Sequence, residues 1–267
     1  MDYLQLFRQV ARNRSEIRLL NIYKGLPISY DTNIEYVMAS EITVPSSRHQ
    51  LACLYHQGVS YLQGEELPFI IRSEVMSLNL AKEFAVFSNF EVAKNNIGNR
   101  TQIRVEPEEP LVVSIKFSGS SSEFLAPLAD ISANGASVYF EAFMFPARLA
   151  KPGSELTMSL SLPDAVSNKI RKLSQKPKLD GRLDGRKVTA PFRTNLTGGQ
   201  DGRIVITAHG KVIAIRPQPP LNRFRMSTQL FFQDLSQMVI LQYITQRQSE
   251  IIQDLRMLSE ELYKPKK

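Results

Sequence analysis

The sequence has one cysteine, Cys53, and three histidines among 267 residues. A single cysteine excludes a framework of disulfide bonds within the chain. The first residues lack the apolar run of a secretory signal, and no stretch approaches the roughly 18 consecutive apolar residues that a membrane-spanning helix needs. The sequence therefore predicts no membrane span and a cytoplasmic location.

Sequence motifs of several enzyme classes are also missing. The chain has no glycine-rich phosphate loop, no Gly-x-Ser-x-Gly elbow and no His-Glu-x-x-His motif. On a helix, His49, Cys53 and His56 would share one face, as metal ligands can. The surrounding residues are more typical of strands and offer no fourth ligand, so we predict structural roles for these three. We predict no enzymatic activity, no cofactor and no metal site.

The sequence does contain an excess of positive charge and enough apolar residues for a core. The chain has 33 Lys and Arg against 26 Asp and Glu, a net charge of +7, and 43% hydrophobic residues. This composition is typical of a globular protein. The positive charge favours an anionic partner such as a nucleotide, a nucleic acid or a lipid, without choosing among them.

The apolar pattern divides most of the chain into two β-rich parts. A short helix over about residues 2–18 precedes short β-like runs, which predict a small antiparallel domain over residues 1–98. Turn-forming residues around 94–99 mark its end. Six β-like runs follow within residues 99–233, enough to close a small barrel. These runs are Leu111–Phe117, Phe124–Ala129, Ala136–Glu141, Glu155–Leu162, Arg203–Arg216 and Arg223–Phe232.

Two further segments differ from this β pattern. Residues 163–202 are basic and poor in apolar residues, which predicts an insertion between barrel strands. Residues 234–267 have a helical pattern with a heptad seam, which either packs on the chain's own barrel or pairs two copies as a homodimer. Gln248 within the seam would weaken such a coiled coil while favouring one register. The seam residues are Leu241, Ile244, Gln248, Ile251, Leu255, Leu258 and Leu262.

Two short motifs combine basic, acidic and hydroxyl side chains that are suited to binding. Arg100 and Arg104 form an Arg-x-x-x-Arg pair, and Asp130, Ser132 and Gly135 form Asp-x-Ser-x-x-Gly between two predicted strands. An arginine can bind a phosphate or a guanine edge bidentately and can stack on a purine. A carboxylate accepts hydrogen bonds from guanine N1 and N2, a hydroxyl adds a short contact, and a glycine permits close backbone approach.

Each motif also has an ordinary structural interpretation. The arginine spacing recurs elsewhere in the chain, so it is equally typical of a solvated basic linker. The second motif occurs once and is also compatible with a simple Asx-type hairpin turn. The position of the second motif between two strands, with the arginine pair one strand before it and a β-rich domain before both, favours a joint binding role.

In order and separation, the two motifs resemble those of PilZ domains. The resemblance implies a receptor for the bacterial second messenger cyclic di-GMP (c-di-GMP), with the five motif residues binding the ligand and Asn99 and Asn134 as additional contacts. It also implies that the arginine segment folds over the barrel when the ligand binds and reorients the first domain. The expected fold is mainly β, with two small antiparallel β-barrels and a C-terminal α-helix. One barrel is an N-terminal split barrel like that of flagellar-brake receptors, and the other is a six-stranded PilZ barrel.

The same resemblance implies a non-enzymatic receptor that acts on a protein target, with flagellar motor components as candidates and the basal body as a candidate location. The chain departs from the family at Asn99, where many relatives carry another arginine, and this leaves open whether one or two dinucleotides bind. The insertion over 163–202 is a second departure. Two alternatives stay open: a basic nucleic-acid-binding β-barrel, and a degenerate PilZ scaffold that does not bind the dinucleotide.

Overall fold

The computed structural model describes residues 2–93, 102–162, 197–198 and 204–264. The chain divides into two compact units, Met1–Ile103 with Gln248–Lys267, and Arg104–Arg247. Asn99, Arg100, the predicted boundary after residue 98 and nearly all of the insertion over 163–202 lie outside the described residues. The predicted fold class is confirmed, because both units are built on antiparallel sheets and the chain has a C-terminal helix.

The first unit begins with helix α1, Tyr3–Asn13. The Asp2 carboxylate caps this helix by accepting hydrogen bonds from the backbone N–H groups of Leu4 and Gln5, both at 3.0 Å. Phe7 and Val10 of the helix are buried in the core of the unit. The predicted N-terminal helix is therefore present and ends before residue 18.

The sheet of the first unit has seven antiparallel strands in the order β2-β1-β5-β6-β7-β4-β3. It is an open sheet, and α1 together with a second helix, α2 (Arg48–Gln57), completes this part of the unit. The strands are β1 Ile17–Tyr23, β2 Leu26–Thr32, β3 Tyr36–Val37, β4 Ile42–Pro45, β5 Val59–Gly64, β6 Ile71–Asn79 and β7 Phe84–Val92.

Helix α2 corrects the strand-like interpretation of the segment around Cys53. Ser47 caps its start by accepting a hydrogen bond from Gln50 N–H at 3.3 Å, and Gly58 ends it with a φ of +66°. Cys53 is fully buried, whereas His49 and His56 are exposed. Within the described residues, no group of three His, Cys, Asp or Glu side chains could hold a metal ion.

The second unit contains a closed barrel of six strands in the order β11-β8-β9-β10-β14-β13, in which β11 pairs with β13. A two-residue strand, β12, adds to β13. Each of the six predicted runs is a strand, with ends within three residues of the prediction. The strands are β8 Val112–Phe117, β9 Glu123–Ser132, β10 Gly135–Glu141, β11 Glu155–Leu162, β12 Thr197–Gly198, β13 Ile204–Gln218 and β14 Arg223–Phe231.

Alternate residues of β11 and β14 are buried, as expected for strands with one face on a core, whereas β9 and β10 are buried on both faces over residues 128–132 and 135–138. On β14, Met226, Thr228 and Leu230 are buried, while Arg225, Ser227 and Gln229 are partly exposed. Tyr139 of β10 and Arg223 and Arg225 of β14 remain partly exposed on the outer face, beside the buried Asp130 of the second sequence motif.

The C-terminal helix, α3, spans Asp234–Tyr263 and contributes residues to both units. Its predicted seam is buried by the chain itself at Ile244, Ile251 and Leu255, whereas Leu241 is 44% exposed. The pattern thus reflects packing within the chain, and pairing of two copies through α3 stays a prediction. None of the described helices combines the length and apolar character needed to cross a membrane.

Candidate functional site

The Asp-x-Ser-x-x-Gly motif forms the tight hairpin between β9 and β10, as the sequence predicts. Ser132 pairs with Gly135 across the hairpin, and Asp130 pairs with Ser137. The Ser132 hydroxyl donates a hydrogen bond to the Gly135 carbonyl at 3.1 Å. Asn134 is exposed at the turn, and its carbonyl accepts a hydrogen bond from Leu230 N–H at 2.9 Å. The hairpin is therefore tied to β14 at its tip.

Gly135 is required here for a reason that the sequence did not reveal. A Cβ atom at this position would lie 2.4 Å from the carbonyl oxygen of Thr228 on the neighbouring strand β14. Real Cβ atoms do not approach backbone so closely, so the close pairing of β10 with β14 already demands glycine. The motif glycine thus has a structural role that is independent of any ligand.

The segment that carries Arg104 lies beside β9. Val105 forms an antiparallel bridge with Ile131, with N–H···O distances of 2.9 Å and 3.0 Å in the two directions. The Val105 side chain is fully buried. This anchored bridge places Arg104 next to Asp130, so the residues of two motifs that lie 26 positions apart are brought into contact.

Arg104 and Asp130 form the central ion pair of the site. Nη1 of Arg104 donates to Oδ1 of Asp130 at 3.0 Å and to the Ser137 hydroxyl at 3.1 Å. The Asp130 side chain is only 5% exposed, whereas that of Arg104 is 28% exposed. A nearly buried carboxylate therefore holds a guanidinium group that still reaches solvent.

A second arginine, Arg225 of β14, donates through Nη2 to the other oxygen of Asp130. Its side chain is 29% exposed, much like that of Arg104. One carboxylate thus orients two guanidinium groups, and the cluster has a net positive charge. Ser137, which is fully buried, links this cluster to Ser227 through a hydroxyl pair at 3.1 Å.

The outer surface next to this cluster is basic and aromatic. Arg223 lies over the ring of Tyr139 at 3.9 Å from the ring centroid, and Arg225 lies at 5.9 Å from the same centroid. Such cation–π contacts orient guanidinium groups without neutralising them. We call the surface formed by Arg104, Asp130, Tyr139, Arg223 and Arg225 the arginine face.

The sequence motifs identified only part of the arginine face. Arg104, Asp130, Ser132 and Gly135 lie together at the β9–β10 hairpin, whereas Arg225 comes from a strand 95 residues further along the chain than Asp130. Arg223, Arg225 and Tyr139 belong to no motif. The alternation of apolar and polar residues in β14 predicts that its arginines point outward, but it does not predict which side chain they meet.

The arginine face offers chemistry suited to an anionic ligand with planar bases. A guanidinium group carries five N–H donors, and the contacts with Asp130 and Ser137 use a single nitrogen of Arg104. The remaining donors can bind phosphate oxygens. Guanidinium planes and the Tyr139 ring also provide surfaces on which a purine can stack.

Comparisons with known proteins give structural neighbours only. No family model matches the sequence, and no curated protein matches it. The chain is similar to the solved structure of the Bacillus subtilis inhibitor of motility MotI/DgrA, with 14% identity, 88% of this chain and 96% of that chain covered, and a TM-score of 0.39. It is also similar to Escherichia coli YcgR in complex with c-di-GMP, with 11% identity, 96% and 93% coverage, and a TM-score of 0.41.

A third similar structure is that of a single domain and matches a smaller share of this chain. The PilZ domain of Escherichia coli YcgR with c-di-GMP matches 58% of this chain and 96% of its own length, with 14% identity and a TM-score of 0.35. At these identities and TM-scores, the residues of the arginine face have to be judged on their own geometry. The solved structures to which the chain is similar include PilZ-domain c-di-GMP receptors, the family that its two motifs resemble.

Proposed function

We propose that this chain is a c-di-GMP receptor whose ligand binds on the arginine face. The observation that carries the proposal is the contact of Arg104 with Asp130, since two motifs that were recognised separately in the sequence supply the two partners. Arg225 extends the same cluster from β14. The proposal makes Arg104 and Arg225 the phosphate- and guanine-binding side chains.

The charge and chemistry of c-di-GMP fit this surface. Each ligand carries two phosphodiester charges and two guanines, and the face presents three arginines against one carboxylate. Charge-assisted hydrogen bonds from arginine to phosphate are among the stronger polar contacts in proteins. The guanidinium groups of Arg104 and Arg225 are partly exposed, so they can make such hydrogen bonds to phosphate without unfolding of the barrel.

Asp130 has two successive roles in this proposal. Without ligand, its two oxygens hold Arg104 and Arg225. With ligand, one arginine turns to a phosphate and frees a carboxylate oxygen for the N1–H and N2–H donors of guanine. Adenine presents a different edge, so this exchange selects guanine. The side chains of Ser132 and Asn134, at the hairpin, add further contacts with the ligand.

The sequence resemblance adds several further features to the proposal. Arg100 and Asn99 complete the ligand site, and the ligand binds as one or two dinucleotides. Binding changes the orientation of the two units, and the output is contact with a protein target, with flagellar motor components as candidates. Small-angle X-ray scattering with and without c-di-GMP tests the reorientation, because a ligand that leaves the scattering curve unchanged would contradict it.

Isothermal titration calorimetry tests the binding proposal. We expect the wild type to bind c-di-GMP and not c-di-AMP, and Arg104→Ala and Arg225→Ala to bind at least about tenfold more weakly, since one hydrogen bond to a charged group contributes roughly 1.5–3 kcal/mol. Arg18→Ala is the matched control, because Arg18 also pairs with an aspartate, Asp31, at 2.6 Å, but in the first unit. This control should bind as the wild type does.

The outcomes separate the alternatives. Absence of wild-type binding would refute the receptor proposal and leave the degenerate scaffold. Binding of single-stranded nucleic acid instead, with an affinity that falls steeply as salt is raised, would favour the nucleic-acid alternative. The fitted stoichiometry of the wild type decides between one and two dinucleotides for each chain.

A further inference from the structure

A buried arginine on α3 contacts the segment that carries Arg104. The Arg247 side chain is 3% exposed, and its Nε donates a hydrogen bond to the backbone carbonyl of Glu106 at 2.9 Å. Its Nη1 lies 3.5 Å from Oε2 of Glu108, a side chain that is 67% exposed. Arg247 and Glu106 are 141 residues apart in the sequence and belong to the same unit.

Because the Arg247 side chain is buried, its hydrogen bond to Glu106 helps to hold α3 in place. A guanidinium group removed from water needs hydrogen-bond acceptors to offset its lost hydration. The Glu106 carbonyl is a fixed acceptor, whereas Glu108 is exposed and its ion pair is screened by solvent. The contact with the carbonyl therefore ties the position of α3 to the backbone of residue 106.

The tied backbone lies two residues from Arg104. Val105, between them, is fully buried and is bridged to Ile131 by two backbone hydrogen bonds. Residues 104–106 are thus held at two successive points, by β9 at Val105 and by α3 at Glu106. Arg104 reaches Asp130 from this doubly held backbone.

We propose that Arg247 is a positioning residue that couples α3 to ligand binding on the arginine face. It does not contact the ligand; it holds the Glu106 backbone so that the Arg104 side chain stays at the arginine face. The inference rests on the proposed function for the identity of the ligand. Because coupling is reciprocal, c-di-GMP binding strengthens the hold of Arg247 on Glu106, and α3 becomes the element that responds to the ligand.

Two variants of similar shape isolate the hydrogen bond. Arg247→Gln retains an N–H donor at the position of Nε and loses the charge, whereas Arg247→Met retains the length of the stem and loses the donor. Arg256→Met is the control, since Arg256 is an exposed arginine on the same helix. Both variants lose the positive charge, so a difference between Arg247→Gln and Arg247→Met reports on the hydrogen bond to Glu106.

The first experiment needs no ligand. Amide hydrogen exchange should be faster at Val105 and Ile131 in Arg247→Met than in the wild type, because the bridge loses one of its two supports. Exchange at β1 in the first unit should be unchanged, and Arg247→Gln and Arg256→Met should resemble the wild type. Unchanged exchange at Val105 in Arg247→Met, or faster exchange throughout the molecule, would overturn the positioning role.

The second experiment measures c-di-GMP affinity by calorimetry. Arg247→Met should bind roughly 5- to 150-fold more weakly, the range typical of coupling between two sites. Arg247→Gln should stay within about threefold of the wild type, and Arg256→Met should equal it. Wild-type affinity in Arg247→Met would overturn the coupling. Equal weakening in the Gln and Met variants would overturn its assignment to the Glu106 hydrogen bond.

These measurements separate failure of the inference from failure of the proposed function. If the wild type does not bind c-di-GMP, the receptor proposal fails, while the exchange experiment still decides whether Arg247 holds the arginine segment. If Arg247→Met does not fold, the side-chain Nε–H resonance of Arg247 in the wild type decides the coupling. It should shift on saturation with c-di-GMP, and an unchanged resonance would overturn the proposal.

Discussion

Replacing Asp130 with asparagine tests whether one carboxylate holds the arginine face together. Asp130 is 5% exposed and accepts hydrogen bonds from Arg104 and Arg225, which are 28% and 29% exposed. Asparagine has nearly the same shape but no charge, and only one of its two terminal atoms can accept a hydrogen bond. Asp130→Asn therefore leaves two neighbouring guanidinium groups with one neutral acceptor between them.

The expected loss of stability follows from the burial of the three side chains. A hydrogen bond to a charged group contributes roughly 1.5–3 kcal/mol, and breaking a fully buried ion pair costs about 3–5 kcal/mol. The arginines reach solvent, which reduces the penalty, so we expect Asp130→Asn to lower the free energy of unfolding by about 2 kcal/mol. With a urea m-value of about 1–3 kcal/mol per molar, the midpoint moves by about 1 M.

Urea unfolding monitored by circular dichroism measures this effect. Asp31→Asn is the matched control, because Asp31 also accepts hydrogen bonds from an arginine, Arg18, but both side chains are about half exposed. The control should be indistinguishable from the wild type. An Asp130→Asn variant as stable as the wild type, or more stable, would refute the view that the carboxylate charge organises the arginine face.

Two further predictions concern packing and burial. Gly135→Ala should destabilise the barrel by roughly 1–3 kcal/mol in thermal unfolding, because its Cβ would meet the Thr228 carbonyl; an unchanged melting temperature would contradict the close approach of β10 and β14. Burial raises the pKa of the Cys53 thiol to about 12, so the neutral form dominates at about pH 8. A thiol reagent should then modify Cys53 in urea-unfolded protein but not in the native protein, and rapid labelling of native protein would show that this part of α2 opens.

The barrel could be predicted from sequence because local patterns specify strands. Runs such as Glu155–Leu162 alternate apolar and polar residues, and their ends follow from turn formers. The β9–β10 hairpin was predicted at Asp130–Gly135 for the same reason. The segment 48–57 was predicted to be strand-like but is a helix; its buried residues Leu51, Cys53 and Leu54 do not follow a simple amphipathic pattern, whereas its capping residues favour a helix.

Part of the candidate site could also be predicted from the sequence. Arg104 and Asp130 stand in short motifs whose residue types suit a guanine dinucleotide, but the sequence did not predict their direct contact. Arg225 and Arg247 could not be found in this way. Their partners lie 95 and 141 residues away in the chain, and no local spacing encodes contacts of that range.

The sequence alone determined the strands, their inward and outward faces, the hairpin of the second motif and the excess of positive charge, because each depends on neighbouring residues. Tertiary structure decided which outward side chains meet. Closure of the barrel through β11 and β13 and the pairing of β10 with β14 bring Arg225 to Asp130, and the packing of α3 brings Arg247 to Glu106. These contacts arise from strand order and helix packing, which bring together residues that are distant in the chain.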